Sequence, residues 1–249
     1  MIELKTAEEL ERMRKAGRIV GQLLKCLADR VAPGMKTKQL DEVARKFIHE
    51  HGAEPIFLGY RGFPASICVS INEEVVHGIP GERVIREGDL VSLDAGAKVE
   101  GYCADAAITV GVGPVPPVAQ RLMDTTREAL EQAIALATPR HRLSDLSHAV
   151  QRTAEGAGYA VVRDFVGHGI GRDMHEDPPI PNFGPPNRGP RLKAGMVLAI
   201  EPMVTIGTWE VEVLSDGWTA VTKDRSLAAH FEHTVAVTDR GPEVLTPVA

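Results

Sequence analysis

Five residues of types that bind metal ions are candidates for one site in this sequence: Asp94, Asp105, His168, Glu201 and Glu232. The four acids among them stand at the ends of apolar segments. Asp94 ends "VSLD" and Glu201 ends "VLAIE", whereas the other two acids open "DAAITV" and "EHTVAV". Carboxylates usually lie in solvent, so their attachment to segments that predict buried strands is unusual. If those strands meet, four carboxylates repel one another unless cations neutralise them. The pattern therefore predicts a metal site.

Four carboxylates and one imidazole can hold two divalent ions when two of the carboxylates bridge. Asp105 and Glu232 are predicted to bridge because they occupy matching positions in the repeat described below, while Asp94 completes one metal position. His168 and Glu201 would complete the other. An oxygen-rich set without thiolate favours Mn(II), Fe(II) or Co(II), with zinc possible. Two such ions would lower the pKa of a shared water, supply hydroxide and polarise a carbonyl, which is the chemistry of amide hydrolysis.

Two further histidines lie near glycine-rich turns, His77 in "NEEVVHGIPG" and His175 in "GHGIGRDMHEDP". A lone histidine beside such a turn is more often a surface or hydrogen-bonding residue than a catalytic one. The "HGI" at His77 nevertheless repeats the "HGI" at His168, and His175 follows in a segment rich in glycine and proline that predicts a shaped loop. Both are predicted to hydrogen-bond substrate.

Tyr60, Phe63, Cys68 and Trp218 are apolar or aromatic residues for which core packing is the favoured interpretation. Aromatic residues make up only 4% of the chain, and "FLGYRGFP" concentrates three of them beside a turn. A pocket wall is therefore the second interpretation of these residues.

The elements that would position these residues follow from hydrophobic periodicity. A capping box of Thr6 and Glu9 predicts a first helix over residues 7–32, and Thr37 is predicted to cap a second helix that ends near residue 52. Two more helices are predicted over residues 117–138 and 144–156. Strands are predicted at "ASICVSI", "DLVSLD", "ADAAITVGV", "GMVLAIE" and "EHTVAVT".

The order of helix, helix and strands occurs twice along the chain. A displacement of 106 or 107 positions matches Pro33 with Pro139, Leu40 with Leu146, Gly52 with Gly158, Gly88 with Gly195, and Asp94 with Glu201. We expect a single α/β domain over residues 1–249, built from two pseudo-symmetric halves of about 1–115 and 116–249. Their strands would form one curved antiparallel sheet covered by helices, with a cleft along the pseudo-symmetry axis.

Composition excludes several classes of protein. The net charge is −6 with acids and bases interspersed, so neither nucleic acid nor an anionic membrane is expected as a main partner. Cys26, Cys68 and Cys103 form no CxxC pair, which is typical of a reducing compartment. The N-terminal segment predicts neither a signal peptide nor a membrane anchor, and we expect a cytoplasmic protein.

The chain resembles the methionine aminopeptidases of the short bacterial type I form. The resemblance rests on "TAEELERMRKAG", "CVSINEEVVHGIP", "GDLVSLDAGAKVEGYCAD", "GHGIGRDMHEDP", "LAIEPM" and "FEHTVAVT". It implies the pita-bread fold, with the five residues above as dinuclear metal ligands and Glu201 as proton acceptor. It also implies that His77 and His175 contact the substrate amide and carbonyl, and that Tyr60, Phe63, Cys68 and Trp218 form the methionine pocket. Phe63 and Met174 depart from the tyrosine and phenylalanine frequent at those positions.

The resemblance implies removal of the initiator methionine from nascent chains whose second residue is small. Because one chain contains both pseudo-symmetric halves, we expect a monomer. Glu201 and Glu232 are 31 positions apart, without the insert that type II members carry between them.

Two alternatives stay open. An X-Pro aminopeptidase or dipeptidase of the same fold usually carries an additional N-terminal domain, and a non-catalytic binding homologue would be expected to lose some of the ligands.

Overall fold

The computed structural model describes residues 1–248 and contains four α-helices packed on antiparallel sheets, as the α/β prediction requires. The helices are α1 (Ala7–Ala28), α2 (Thr37–Glu50), α3 (Pro117–Ala135) and α4 (Leu143–Gly156). The strands are β1 (Glu54–Pro55), β2 (Ile67–Ile71), β3 (Glu74–Val76), β4 (Leu90–Val99), β5 (Tyr102–Gly111), β6 (Ala160–Val161), β7 (Gly167–Gly169), β8 (Glu176–Ile180), β9 (Val197–Ile200), β10 (Met203–Thr205), β11 (Val211–Val213), β12 (Ala220–Thr222), β13 (Ala228–His230), β14 (Glu232–Thr238) and β15 (Gly241–Val244).

The predicted capping box begins α1. The Thr6 N–H donates to Glu9 Oε2 at 2.8 Å, and the Glu9 N–H donates to Thr6 Oγ1 at 3.3 Å. The helix ends at Ala28, earlier than the predicted residue 32, because the residue before Pro33 is sterically biased away from helical backbone. Similarly, α3 ends at residue 135, short of the predicted 138.

The predicted capping role of Thr37 is wrong. Thr37 is the first residue of α2, and Lys36 precedes it as the capping residue, with its N–H donating to Gln39 Oε1 at 2.9 Å. The Thr37 hydroxyl accepts instead from the Gly81 N–H at 2.8 Å. The side chain that the sequence pattern assigned to the helix end therefore binds a neighbouring loop instead.

The two halves make the same hydrogen bonds at matching positions. The Thr37 N–H donates to the Arg83 carbonyl, and the Leu143 N–H donates to the Pro190 carbonyl, both at 3.0 Å. Leu143, rather than the predicted Ser144, accordingly begins α4. The strands β2, β4 and β5 of one half are matched by β7, β9 and β14 of the other, with β5 and β14 paired at the centre. The predicted pseudo-symmetry of the fold is confirmed.

The largest sheet has nine strands, seven of them in the order β1-β4-β5-β14-β9-β7-β8. Its longest hairpin joins β4 to β5 through Glu100 and Gly101, whose φ angles of 50° and 83° match the positive values of a type I′ turn. Asp94 pairs with Ala107, and Asp105 pairs with Gly96. The two aspartates therefore lie on the same face of the sheet as diagonal neighbours.

The helices cover the opposite face. Leu24 of α1, Leu40 of α2 and Leu93 of β4 belong to one buried cluster, and the second half has a corresponding cluster under α3 and α4. Because side chains alternate along a strand, Leu93 faces the helices while Asp94 faces away from them. Within residues 1–248, no helix combines the length and the apolar character needed to cross a membrane.

Candidate active site

Both halves line a cavity of about 190 Å³ on the face that the helices leave free. The structure brings every predicted site residue to this cavity: Tyr60, Phe63, Cys68, His77, Asp94, Asp105, His168, His175, Glu201, Trp218 and Glu232. The cavity therefore joins a set of carboxylates and imidazoles to an aromatic wall.

Five adjacent strands each contribute one of the predicted metal ligands. Across the sheet the order β4-β5-β14-β9-β7 presents Asp94, Asp105, Glu232, Glu201 and His168. Glu201 directly follows β9, and the other four lie within their strands. Asp105 and Glu232 occupy the two central strands, which is the position that bridging ligands require.

Several of these carboxylate oxygens have no hydrogen-bond partner within the described chain. Asp105 and Glu232 are only 4% and 3% exposed, and their Oδ1 and Oε1 atoms, like Oδ1 of Asp94, are buried and unpaired. One ligand atom each from Asp105, His168 and Glu232 lies within 4.8 Å of the others. Buried unpaired carboxylate oxygens at this spacing fit divalent cations, which would satisfy them.

The raised pKa values of the four acids also indicate that the cavity is suited to cations. Burial raises the pKa of Asp94 from its ordinary 3.8 to about 7, although hydrogen bonds with Asp105 and Cys68 oppose the rise. Burial, and then the charge of Asp94, raises the pKa of Asp105 well above its ordinary value. Burial is also the main cause that raises the pKa of Glu201 and of Glu232, followed by the charge of Asp105. Metal ions would displace the protons that these groups otherwise hold.

His168 is held in the form that can bind a metal ion. Its Nδ1 lies 2.9 Å from the Gly169 carbonyl, so Nδ1 carries the proton and donates it. Burial, and then the charge of His175, lowers the pKa of His168 to about 4. The ring is therefore neutral at pH 7, with the Nε2 lone pair 3.4 Å from Glu201 Oε1.

His77 enters the cavity from a strained backbone position. Its φ of 61° lies in the left-handed region, which residues other than glycine rarely adopt. Its ring packs edge-on against Phe165, with centroids 5.2 Å apart. Burial, and then the charge of His175, lowers the pKa of His77 to about 4, so this imidazole is neutral at pH 7.

His175 lies beside the predicted metal ligand His168. Its ring stacks on Tyr60 at 5.3 Å and lies 4.1 Å from the His168 ring, measured between centroids. Burial, and then the charge of Arg61, lowers the pKa of His175. A neutral ring here can donate one hydrogen bond to a substrate atom in the cavity.

The predicted pocket residues are both core and cavity wall. Phe63 and Trp218 meet edge to face, with centroids 5.1 Å apart, and Phe63 shares a buried cluster with Met174 and Cys68. Cys68 pairs directly with Asp94 across strands β2 and β4. Burial, and then the charge of Asp94, raises the pKa of Cys68 well above its ordinary value, so the thiol stays protonated.

Sequence reasoning missed one imidazole, His230. It is 2% exposed, lines the cavity and lies with Nε2 4.0 Å from Glu232 Oε2. Burial, and then the charge of His77, lowers its pKa to about 3. The pattern "HFE" carried the available signal, because residues i and i+2 of an extended chain face the same side.

Comparisons with known proteins identify the family of this chain. The profile of metallopeptidase family M24 matches residues 11–239. Methionine aminopeptidase 1 of Bacillus subtilis is 52% identical over 248 residues, which cover 100% of both chains. The crystal structure of methionine aminopeptidase from Thermotoga maritima has a TM-score of 0.98 at 47% identity, over 99% of this chain and 100% of that one. Prolidase from Pyrococcus furiosus has a TM-score of 0.82 at 24% identity, over 99% of this chain and 66% of that one.

The likeness to both structures confirms the pita-bread fold, and the similarity to the first two relatives extends over essentially the whole chain. The prolidase likeness, at its lower identity, concerns the fold alone. The chain therefore belongs to metallopeptidase family M24, among the methionine aminopeptidases of the short bacterial type I form.

Proposed function

We propose that this protein uses two divalent metal ions to remove the initiator methionine from nascent polypeptides whose second residue is small. One observation carries the proposal: five adjacent strands present five metal-binding side chains to a cavity whose remaining wall is apolar and aromatic. Such a cavity combines a hydrolytic centre with a pocket for an unbranched apolar side chain.

The ligand set supports two ions, with Asp105 and Glu232 as bridges. Asp94 completes one position, and His168 with Glu201 completes the other. Oxygen-rich coordination favours Mn(II), Fe(II) or Co(II), with zinc possible. Such a pair supplies a nucleophile at neutral pH and polarises the scissile carbonyl.

The protein's own groups orient the substrate and move the proton. Burial raises the pKa of Glu201, so once bound cations displace its proton, its carboxylate would be basic enough to accept a proton from the attacking water. His77 and His175 hydrogen-bond the amide nitrogen and the carbonyl oxygen of the scissile bond. Because both rings are neutral at pH 7, they can orient the peptide without adding charge to the cavity.

The apolar wall receives the methionine side chain. Tyr60, Phe63, Cys68 and Trp218 surround a small volume, and the flexible Met174 side chain packs beside them. Rejection of bulky second residues is part of the same proposal, because the chain resembles enzymes that accept only a small residue there.

The cellular setting follows from the substrate as a further part of the proposal. Nascent chains near the ribosome would present the N-termini, and a monomer in the cytoplasm suffices because one chain holds both halves of the cavity. The X-Pro aminopeptidase or dipeptidase alternative rests on the shared fold alone, and a non-catalytic homologue would not need five converging ligands.

A comparison of three peptides tests the proposed function. The metal-loaded enzyme is expected to cleave Met-Ala-Ser with a kcat/KM roughly a hundredfold above that for Met-Ile-Ser, because the β-branched second residue does not fit. Ala-Pro-Ser is expected to stay intact. Faster release of alanine from Ala-Pro-Ser would support the X-Pro alternative, and activity that survives complete metal chelation would contradict the metal-dependent mechanism.

The protein's own start provides a second test. Because Ile2 is bulky, Met1 is expected to be retained after expression, so the intact mass should equal that of the full sequence. The matched variant Ile2→Ala is expected to lose one methionine residue when the active enzyme is present in the same cells. Loss of methionine from the unaltered chain would contradict the proposed selectivity.

A further inference from the structure

We propose that His230 is a sixth protein ligand, which supplies a second imidazole nitrogen to a metal position shared with Glu201 and Glu232. This inference rests on the proposed function in one respect, namely that the cavity binds divalent metal ions. It adds a ligand to the five that the sequence predicts.

The first support is an unpaired nitrogen. His230 is 2% exposed, and within residues 1–248 its Nε2 has no hydrogen-bond partner. A buried polar atom left unpaired costs roughly 1–3 kcal/mol, so such atoms in native proteins usually have a partner. The neighbouring Glu232 carboxylate does not provide one, because 4.0 Å is beyond hydrogen-bond distance.

The second support is the spacing of the three side chains. One ligand atom each from Glu201, His230 and Glu232 lies within 4.8 Å of the others. A metal ion with bonds of about 2.1 Å spans two ligands up to about 4.2 Å apart. The separation of 4.0 Å between His230 Nε2 and Glu232 Oε2, too long for a hydrogen bond, is therefore suitable for a shared ion.

The third support is the anchoring of His230. Its N–H donates to Thr109 Oγ1 at 2.9 Å, and that hydroxyl donates to the His230 carbonyl at 2.8 Å. Thr109 belongs to β5, the strand of Asp105, and also contacts Ser92 Oγ at 2.8 Å. Both backbone groups of His230 are thus hydrogen-bonded to the strand of Asp105, which fixes the point from which its side chain enters the cavity.

A second imidazole changes the chemistry of the site. Carboxylate and water ligands suit Mn(II), whereas imidazole suits Fe(II) and Zn(II). We therefore expect His230 to raise the affinity for Co(II), Fe(II) and Zn(II) more than that for Mn(II).

The test counts coordinated histidines with Co(II) as the probe. In protein that is perdeuterated except at histidine, stripped of metal and loaded with two equivalents of Co(II), the ring protons of bound histidines are shifted through the metal–nitrogen bond. A nearby unbound ring such as His175 receives only the smaller through-space shift, so the two kinds of signal can be told apart. Unaltered protein is expected to show two signal sets from bound histidines. His230→Gln is expected to lose one set, and to lower the affinity for one Co(II) by at least roughly tenfold in calorimetry while the other ion binds as before.

His233→Gln is the matched control, because His233 is the next histidine along the chain and its Nδ1 contacts Thr246 Oγ1 at 3.0 Å, outside the ligand set. This variant should keep both signal sets. A single set in the unaltered protein, or equal Co(II) affinities for His230→Gln and the unaltered protein, would overturn the inference, and the first outcome requires no variant to fold. Absence of tight Co(II) binding to the unaltered protein would instead refute the proposed metal function itself.

Discussion

Asp105→Asn is expected to abolish the binding of two tightly held metal ions and to remove aminopeptidase activity. The carboxylate lies on a central strand and is proposed to contact both ions, so an amide there weakens both positions at once. The fall in kcat/KM should be at least the roughly hundred- to thousandfold that a single group stabilising a transition state contributes. Elemental analysis after dialysis gives the metal count, and Met-Ala-Ser hydrolysis gives the rate.

The same variant is expected to stabilise the metal-free protein. Burial beside other carboxylates, and then the charge of Asp94, raises the pKa of Asp105. Asparagine has nearly the same shape and carries no charge, so this substitution removes the cost of burying or protonating the carboxylate in the metal-free cavity. Its melting temperature should exceed that of the metal-free unaltered protein at pH 8, whereas adding metal should raise the melting temperature of the unaltered protein far more.

Asp41→Asn is the matched control for both effects. Asp41 is also buried, but its Oδ1 accepts from the Ser66 N–H at 2.7 Å and its Oδ2 from Arg45 at 3.0 Å. Loss of its charge should leave the metal count and activity unchanged and should not stabilise the protein. If Asp105→Asn keeps two tightly bound ions, or if both variants shift the melting temperature equally, the bridging assignment is wrong.

The central hairpin shows why the sequence predicted so much of this site. Asp94 and Asp105 follow and open apolar segments, and the positive φ angles at Glu100 and Gly101 are those of a turn that fixes strand register. The local sequence pattern is therefore enough to predict that both aspartates lie on one face of the sheet. The repeat then extended the prediction to the second half, where β9 and β14 present Glu201 and Glu232.

Residues whose surroundings come from distant segments were harder to predict. The Thr37 hydroxyl contacts Gly81, which is 44 positions away, so the local capping pattern misassigned it. His230 depends on Thr109, which is 121 positions away, and a single histidine beside a glutamate does not reveal a fixed and unpaired ring. Helix ends were also overextended, since apolar spacing continues through turns such as the one after α1.

The stability of the metal-free protein is expected to fall as the pH rises from 7 to 8.5. The pKa of Asp94 is raised to about 7, and the pKa values of Asp105, Glu201 and Glu232 are raised further, each mainly by burial. The folded state therefore binds more protons than the unfolded state once the pH exceeds the ordinary carboxyl values. Stability contributed by a raised pKa is complete below the unfolded value and is lost as the pH rises through the folded value.

The buried histidines change the stability with pH in the opposite direction, so the carboxyl groups are best tested above the pH at which the histidines titrate. Burial lowers the pKa values of His77 and His168 to about 4 and that of His230 to about 3, so their contribution grows with pH only up to their ordinary value of 6.5. Above that value the carboxyl groups of the cavity keep titrating, whereas these histidines are neutral in both states. The contributions of the histidines and of the carboxyl groups to stability can thus be separated by measurements at different pH.

Each carboxyl group that still holds its proton above pH 7 lowers the free energy of unfolding by about 1.4 kcal/mol per pH unit. For a chain of this size, one such group lowers the melting temperature by about 3 °C or more per pH unit. Saturating Co(II) or Mn(II) should flatten the dependence, because the bound carboxylates are already ionised, and calorimetry in buffers of different ionisation enthalpy should show protons released on binding. A metal-free melting temperature that stays constant or rises between pH 7 and 8.5 would show that the four acids do not share one buried, cation-dependent cavity.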